Sequence, residues 1–306
     1  MSRHVYRWAT LPVVSVAQLE QELELPVELD EPWEFLQRRF GCASKSGNVT
    51  SNVVHNFDVN GRYVYKVNEG FPDVVPSEEA FMRIMREVEA HALPLYHHVV
   101  LAIIAFSQRN AAACALHMSH ITRDLEPLLS QYYSRMHNKS IARAFWLSYV
   151  QGIHAWGLTY VDAASDSEER IKYNGLSGNQ LLAFQLLDAF LGIEPYLSKT
   201  DRERTMPLRQ RRLCQAIETH CFRYRLHELG NGDSEAEKAI QIEFSEIVKR
   251  LRMFRAAHRR RGHAYLLQPA AERLPMTAGK GLLRPTMDES MVLLDQFMVG
   301  RLAQTV

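Results

Sequence analysis

Residues 236–266 read AEKAIQIEFSEIVKRLRMFRAAHRRRGHAYL, and the spacing of their apolar side chains predicts one long helix. At about 100° per residue, Ile240, Phe244, Ile247, Leu251, Phe254 and Tyr265 all fall within about 40° of His258. An imidazole in so apolar a stripe needs partners for its ring nitrogens, because an unpaired buried polar group costs roughly 1–3 kcal/mol. Arg255, three residues back, flanks the same face. Two readings fit. A core histidine bonded to a backbone carbonyl is the simpler one and comes first on this helix alone. The other is an iron site, in which a neutral ring nitrogen binds heme and the arginine pairs with a propionate carboxylate.

Outward from this stretch the helical period dominates. Further helices are expected over 15–24, 78–93, 96–115, 119–136, 139–156, 178–192, 207–228 and 286–303. One hairpin is expected near the start, where Val53–Val59 and Arg62–Val67 flank Asn60-Gly61, a pair that favours a type I′ turn. Loop composition marks 68–77, 161–170, 229–235 and 268–287. The expected fold is mainly α. A small N-terminal part with the hairpin, residues 1–75, packs on a large helical bundle, residues 76–306.

Composition narrows the function classes. With 46% hydrophobic and 23% charged residues the chain reads as an ordinary globular protein. A net charge of +1 gives no global field for nucleic acid or a membrane surface. The run Val99–Phe106 is too short to span a bilayer, which needs about 20 residues, and the N-terminus lacks a signal-peptide core. A cytoplasmic location is the expectation. Cys42, Cys114, Cys214 and Cys221 form no CxxC pair, so zinc binding is not expected, and no CxxCH occurs, so c-type heme attachment is not indicated.

No GxGxxG, P-loop, GxSxG or HExxH occurs. Adjacent His97 and His98 cannot share a helix face, so a two-histidine metal site is not expected there; His117 and His120, at i and i+3, could meet, but no carboxylate follows at useful spacing and they read as surface or core histidines. His220 with Arg223 and Arg225 imitates the His258 arrangement on a more polar stripe and ranks second as a ligand site. His91 flanks the apolar face of Phe81, Ile84, Val88 and Leu95, just before Pro94. Alone it reads as a boundary histidine with one wet edge.

From about residue 78 onward the chain resembles the indoleamine and tryptophan dioxygenase superfamily of heme proteins. Three segments carry the resemblance. Ser177-Gly178-Asn179-Gln180, followed by Phe184-Gln185, Asp188 and Leu191-Gly192-Ile193, is similar to the family's GGSAGQ loop and the helix ending FDVLLGI. Met206-Pro207 with Arg211 and Leu213 resembles its MP…HR…L stretch. Arg255-x-x-His258, Tyr265 and Pro269-Ala270 match RSYH…YILIPA without a gap.

The resemblance implies heme b, with His258 as proximal iron ligand, Arg255 paired to a propionate, and Ser177 and Gly178 in a loop over the distal side. It implies an oxygenase acting on an aromatic amino acid, with peroxide or O2 as oxidant. Two departures bear on substrate. Val150 stands where the indoleamine branch carries a carboxylate-binding arginine, and Thr277-Ala278-Gly279-Lys280-Gly281 stands for its GTGG. His91-Ala92-Leu93-Pro94-Leu95-Tyr96 is similar to the HQxxEL segment that bears a distal histidine in the tryptophan dioxygenases, which makes His91 the expected catalytic acid/base. The heme-dependent tyrosine hydroxylases of antibiotic pathways are about as short and also use a distal histidine. On that resemblance the expected reaction is hydroxylation of L-tyrosine to its catechol with hydrogen peroxide. Opening of the tryptophan indole ring by O2 is the alternative, followed by a heme-binding helical protein without turnover. Phe81, Phe145 and Thr277 are candidate substrate-pocket residues, with Ser177, Arg143 and Thr277 candidates for gripping the substrate's polar end. A homodimer is compatible with such bundles.

Overall fold

The computed structural model describes residues 26–44, 48–150, 157–162, 167–172, 178–229, 235–266 and 287–306. The fold is mainly α. Its helices are α1 (Val27–Phe40), α2 (Val75–Ser107), α3 (Ala111–Arg135), α4 (Leu182–Leu191), α5 (Lys199–Thr205), α6 (Leu208–Thr219), α7 (Glu235–Leu266) and α8 (Met287–Ala303). A short helical segment, Arg143–Phe145, continues into a π-helical turn at Trp146–Val150.

The helices α2 and α3 form an antiparallel pair, and the other side of α3 packs on α7. Between α2, α6 and α7 lies α4, a ten-residue helix with no exposed side chain. It ends at Gly192, whose φ of 65° lets the Ile193 N–H return to the Asp188 carbonyl at 2.9 Å. Along α7 runs α8, joined to it by Arg259 and Asp295 at 2.6 and 2.7 Å. One apolar core unites these elements, and Val49, Val53, Tyr63 and Val67 from the N-terminal part belong to it.

Several expected boundaries move. The helix expected to stop at Pro94 runs through it, from Val75 to Ser107. An interior proline costs roughly 3 kcal/mol, but Val88, Ala92, Leu95 and Val99 are buried on both sides of it and keep the register. By length and composition α2 could cross a bilayer; here one face of it, including Val88, Ala92, Leu95, Val99 and Ala102, lines the protein core. The break instead falls at Gln108–Asn110, within the expected helix 96–115. Arg109 takes a left-handed φ of 55°, and the Asn110 side chain accepts the Ala113 N–H at 3.0 Å as the N-cap of α3. The expected helix 139–156 is reduced to the segment 143–150 among described residues, and 207–228 ends at Thr219. The expected helix 15–24 lies outside the described residues, while α1 and α5 were not expected.

The N-terminal hairpin contracts to a single bridge, Phe57 to Tyr63. Val53 and Val54, expected in its first strand, belong to a π-helical turn over Thr50–Val54. A type I′ turn needs positive φ at both Asn60 and Gly61, and only Gly61 has it, at 75°. Asp58 organises the loop: its carbonyl accepts the Gly61 N–H at 3.0 Å, and its Oδ1 accepts the N–H groups of Asn60 and Arg62. Asp at the first and Gly at the fourth position are the signature of a type I turn. Glu78, fully buried on α2, anchors the following residues by accepting from the Tyr63 hydroxyl, the Val67 N–H, and the N–H and Nδ2 of Asn68. A second hairpin, Gly157–Asp162 paired antiparallel with Ser167–Lys172, occupies part of the expected loop 161–170.

Candidate functional site

His258 lies on the inward face of α7, as the helical period requires. Its ring centroid is 5.0 Å from that of Tyr132 on α3 and 6.0 Å from that of Phe254, which stacks on Phe184 of α4 at 5.1 Å. No hydrogen bond reaches either ring nitrogen among the described residues, so the backbone-bonded core histidine is not what the structure shows. Burial alone lowers its pKa to about 4, with no charged group contributing. The imidazole is therefore neutral at physiological pH. The residue as a whole keeps some accessible surface. A neutral, unbonded imidazole meets the requirement for an iron ligand.

One turn back, Arg255 is held by α4 and the end of the chain. Its Nη2 meets Asp188 Oδ1 at 2.5 Å, and its Nη1 donates to the Thr305 hydroxyl. The other Asp188 oxygen accepts from Arg301 of α8. Burial pushes the Asp188 carboxyl up, and the two guanidinium groups pull it back down. One carboxylate between two guanidiniums leaves one positive charge in excess close to His258. With two of its five N–H donors engaged, Arg255 retains donors for a second carboxylate. Both features suit a heme propionate. Arg301 and Thr305 have no local sequence signal that ties them to residue 255.

Towards the C-terminal end of α7, Tyr265 donates its hydroxyl to the Ile141 carbonyl at 2.9 Å and lies edge-on to Trp146 at 5.6 Å. Trp146 is in turn 5.8 Å from Phe81, and the Arg143 guanidinium sits 5.7 Å from the centre of the Tyr265 ring. The indole Nε1 of Trp146 is buried with no acceptor among the described residues, a polar group available to a bound molecule. Periodicity did not single out Trp146 or Tyr132; their aromatic contacts come from chain segments far apart.

The remaining expected residues are dispersed. Phe145 is half-buried, 6.4 Å from Tyr149. Val150 is completely buried in the core. Gly178 begins a short helical turn leading into α4, whereas Ser177 and Thr277 lie outside the described residues. His91 is half-buried on α2 with no hydrogen bond or ring contact among the described residues. It is seven residues from His98, about 20° away around the helix, and His98 meets α3 through His117. The rival His220 caps the end of α6 and is exposed, and Arg223 is committed to the Leu191 and Val306 carbonyls.

No curated protein matches the chain. The family model of indoleamine 2,3-dioxygenase matches residues 65–291, from the start of the Glu78-anchored loop into α8. This span contains α4, α7 and the Asp188–Arg255 pair. The chain belongs to the indoleamine 2,3-dioxygenase family of heme-dependent oxygenases, and its cofactor is heme b.

Proposed function

We propose that His258 is the axial ligand of heme b and that the enzyme hydroxylates the ring of L-tyrosine to its catechol, consuming hydrogen peroxide and releasing water. The neutral, unbonded His258 imidazole carries the first half of this reading. Bound there, heme supplies the redox iron that activates the oxidant. Arg255 binds a propionate with its spare donors while Asp188 fixes its guanidinium. Phe81, Trp146 and Tyr265 offer edges and faces to an aromatic ring. Arg143, above Tyr265, is the cation placed to take the substrate carboxylate. Val150 supports a substrate pose other than the usual tryptophan one: a buried valine offers no partner to a carboxylate where the indoleamine branch has its arginine. His91 is assigned the acid/base role, since an imidazole can both donate and accept a proton.

The family match itself favours a second reading, in which O2 opens the indole ring of tryptophan or a derivative. Product analysis separates the two. Heme-loaded enzyme given tyrosine and peroxide should form the catechol, whereas tryptophan and O2 should give little product. The reverse outcome would establish the second reading. In the same assay His91→Ala should keep its heme and lose turnover by roughly 100-fold or more, within the range of acid/base contributions. Undiminished turnover would remove His91 from the mechanism.

A further inference from the structure

Three histidines on the α2–α3 pair converge away from the heme site. His98 projects from α2, and His117 and His120 from α3, with one ligand-capable atom of each within 4.8 Å of the others. The two Nδ1 atoms of His98 and His117 are 3.2 Å apart, and the His98 and His120 rings are 4.5 Å centre to centre. Ligands about 2.0–2.1 Å from a tetrahedral zinc ion stand roughly 3.3 Å from one another. The His98–His117 spacing is already that of a tetrahedron edge. His120 closes the set with a side-chain movement on the order of 1 Å, within ordinary rotamer adjustment.

Two further observations point to a missing ligand. His120 Nδ1 is buried and has no hydrogen-bond partner among the described residues. Asp124, one turn further along α3, accepts at Oδ1 from the Arg123 Nε–H at 2.9 Å, while its Oδ2 is buried and unpartnered among the described residues. Each such orphan is energetically unfavourable. A cation held by the imidazoles would engage the first, and a water on that cation would reach the second. His117, His120 and Asp124 follow at i, i+3 and i+7, which places all three on one face of α3. The three histidines are half-buried, so an ion has access from solvent.

We propose that His98, His117 and His120 form a binding site for a divalent transition metal of the zinc type, with Asp124 as its outer carboxylate. Three imidazoles leave a fourth position to water, and imidazole ligands favour zinc, copper and nickel over magnesium or calcium. Twelve residues of α3, about 18 Å of helix, lie between His120 and Tyr132, the residue that meets His258. The ion therefore pins α2 to α3 and takes no part in holding heme.

The test is calorimetric titration of the tag-free, heme-loaded chain with zinc chloride after chelator treatment. One equivalent should bind, and His98→Ala or His117→Ala should each weaken it by roughly tenfold or more. X-ray absorption at the zinc edge of the wild-type complex should show three imidazole nitrogens at about 2.0 Å. The heme spectrum of the variants should be unchanged. If the wild type binds no more zinc than a chain with all three histidines replaced by Ala, or the bound ion lacks imidazole ligands, the site does not exist. The imidazoles would then be held only by the His98–His117 hydrogen bond.

Discussion

Replacing His258 by Ala will leave the purified chain with less than roughly a tenth of the heme that the wild type retains. The estimate is conservative, since losing even an outer partner of a metal ligand commonly costs 10–100-fold in affinity. The replacement removes no hydrogen bond, because neither ring nitrogen has a protein partner among the described residues. It also removes a group that would have to be charged in a desolvated place at low pH, where burial holds its pKa near 4. The fold should therefore survive while the cofactor is lost. Circular dichroism should match the wild type, and imidazole added to the buffer should restore part of the Soret band. Full heme content in the variant would show that another residue holds the iron.

Asp188→Leu should destabilise the protein by about 3–5 kcal/mol, as expected when one partner of a buried ion pair is removed. The Arg255 and Arg301 side chains are only 12% and 11% exposed, so neither can turn to water once the carboxylate has gone. Asp188→Asn keeps the shape but not the charge and should lie in the same direction. A natural control is Asp295, whose pair with Arg259 is exposed on α8 and α7. Asp295→Asn should cost under about 1 kcal/mol. Urea unfolding of the three variants measures the difference, and equal midpoints for the Asp188 and Asp295 variants would contradict this electrostatic picture. Because Asp188 fixes Arg255, its variants should also release heme faster than the Asp295 variant.

The parts of the fold legible in the sequence are those set by one dominant local period. The expected helix 236–266 corresponds to α7 at Glu235–Leu266, and its inward stripe is where the period puts it. The helix expected over 178–192 contains α4, with Gly192 as its cap. Elsewhere long-range packing overrode local signals. Buried neighbours carry α2 through Pro94, and the α2–α3 break rests on an Asn110 cap after the short polar run Ser107-Gln108-Arg109 between two apolar stretches. The helix α1 is charged and carries Pro32 inside it, a residue that reads locally as a helix breaker. The strand at Gly157–Asp162 has β-favouring residues, Thr159, Tyr160 and Val161, in a stretch otherwise read as helix and loop.

The site divides in the same way. His258 and Arg255 lie on one helix, so their spacing was visible in the sequence. Asp188, Arg255 and Arg301 come from three helices, and no local pattern brings residue 301 to residue 188. The histidine cluster is similar. The i, i+3 spacing of His117 and His120 is plain in the sequence, but His98 reaches them only through the packing of α2 on α3.

The most direct measurement is titration of the purified wild-type chain with heme, followed by its absorption spectrum and the stoichiometry at saturation. One heme b per chain, with the Soret band of a histidine-ligated iron that His258→Ala fails to reproduce, is the predicted result. A wild-type chain that stays colourless, or whose Soret band His258→Ala reproduces unchanged, would contradict the assignment of His258 as the axial ligand.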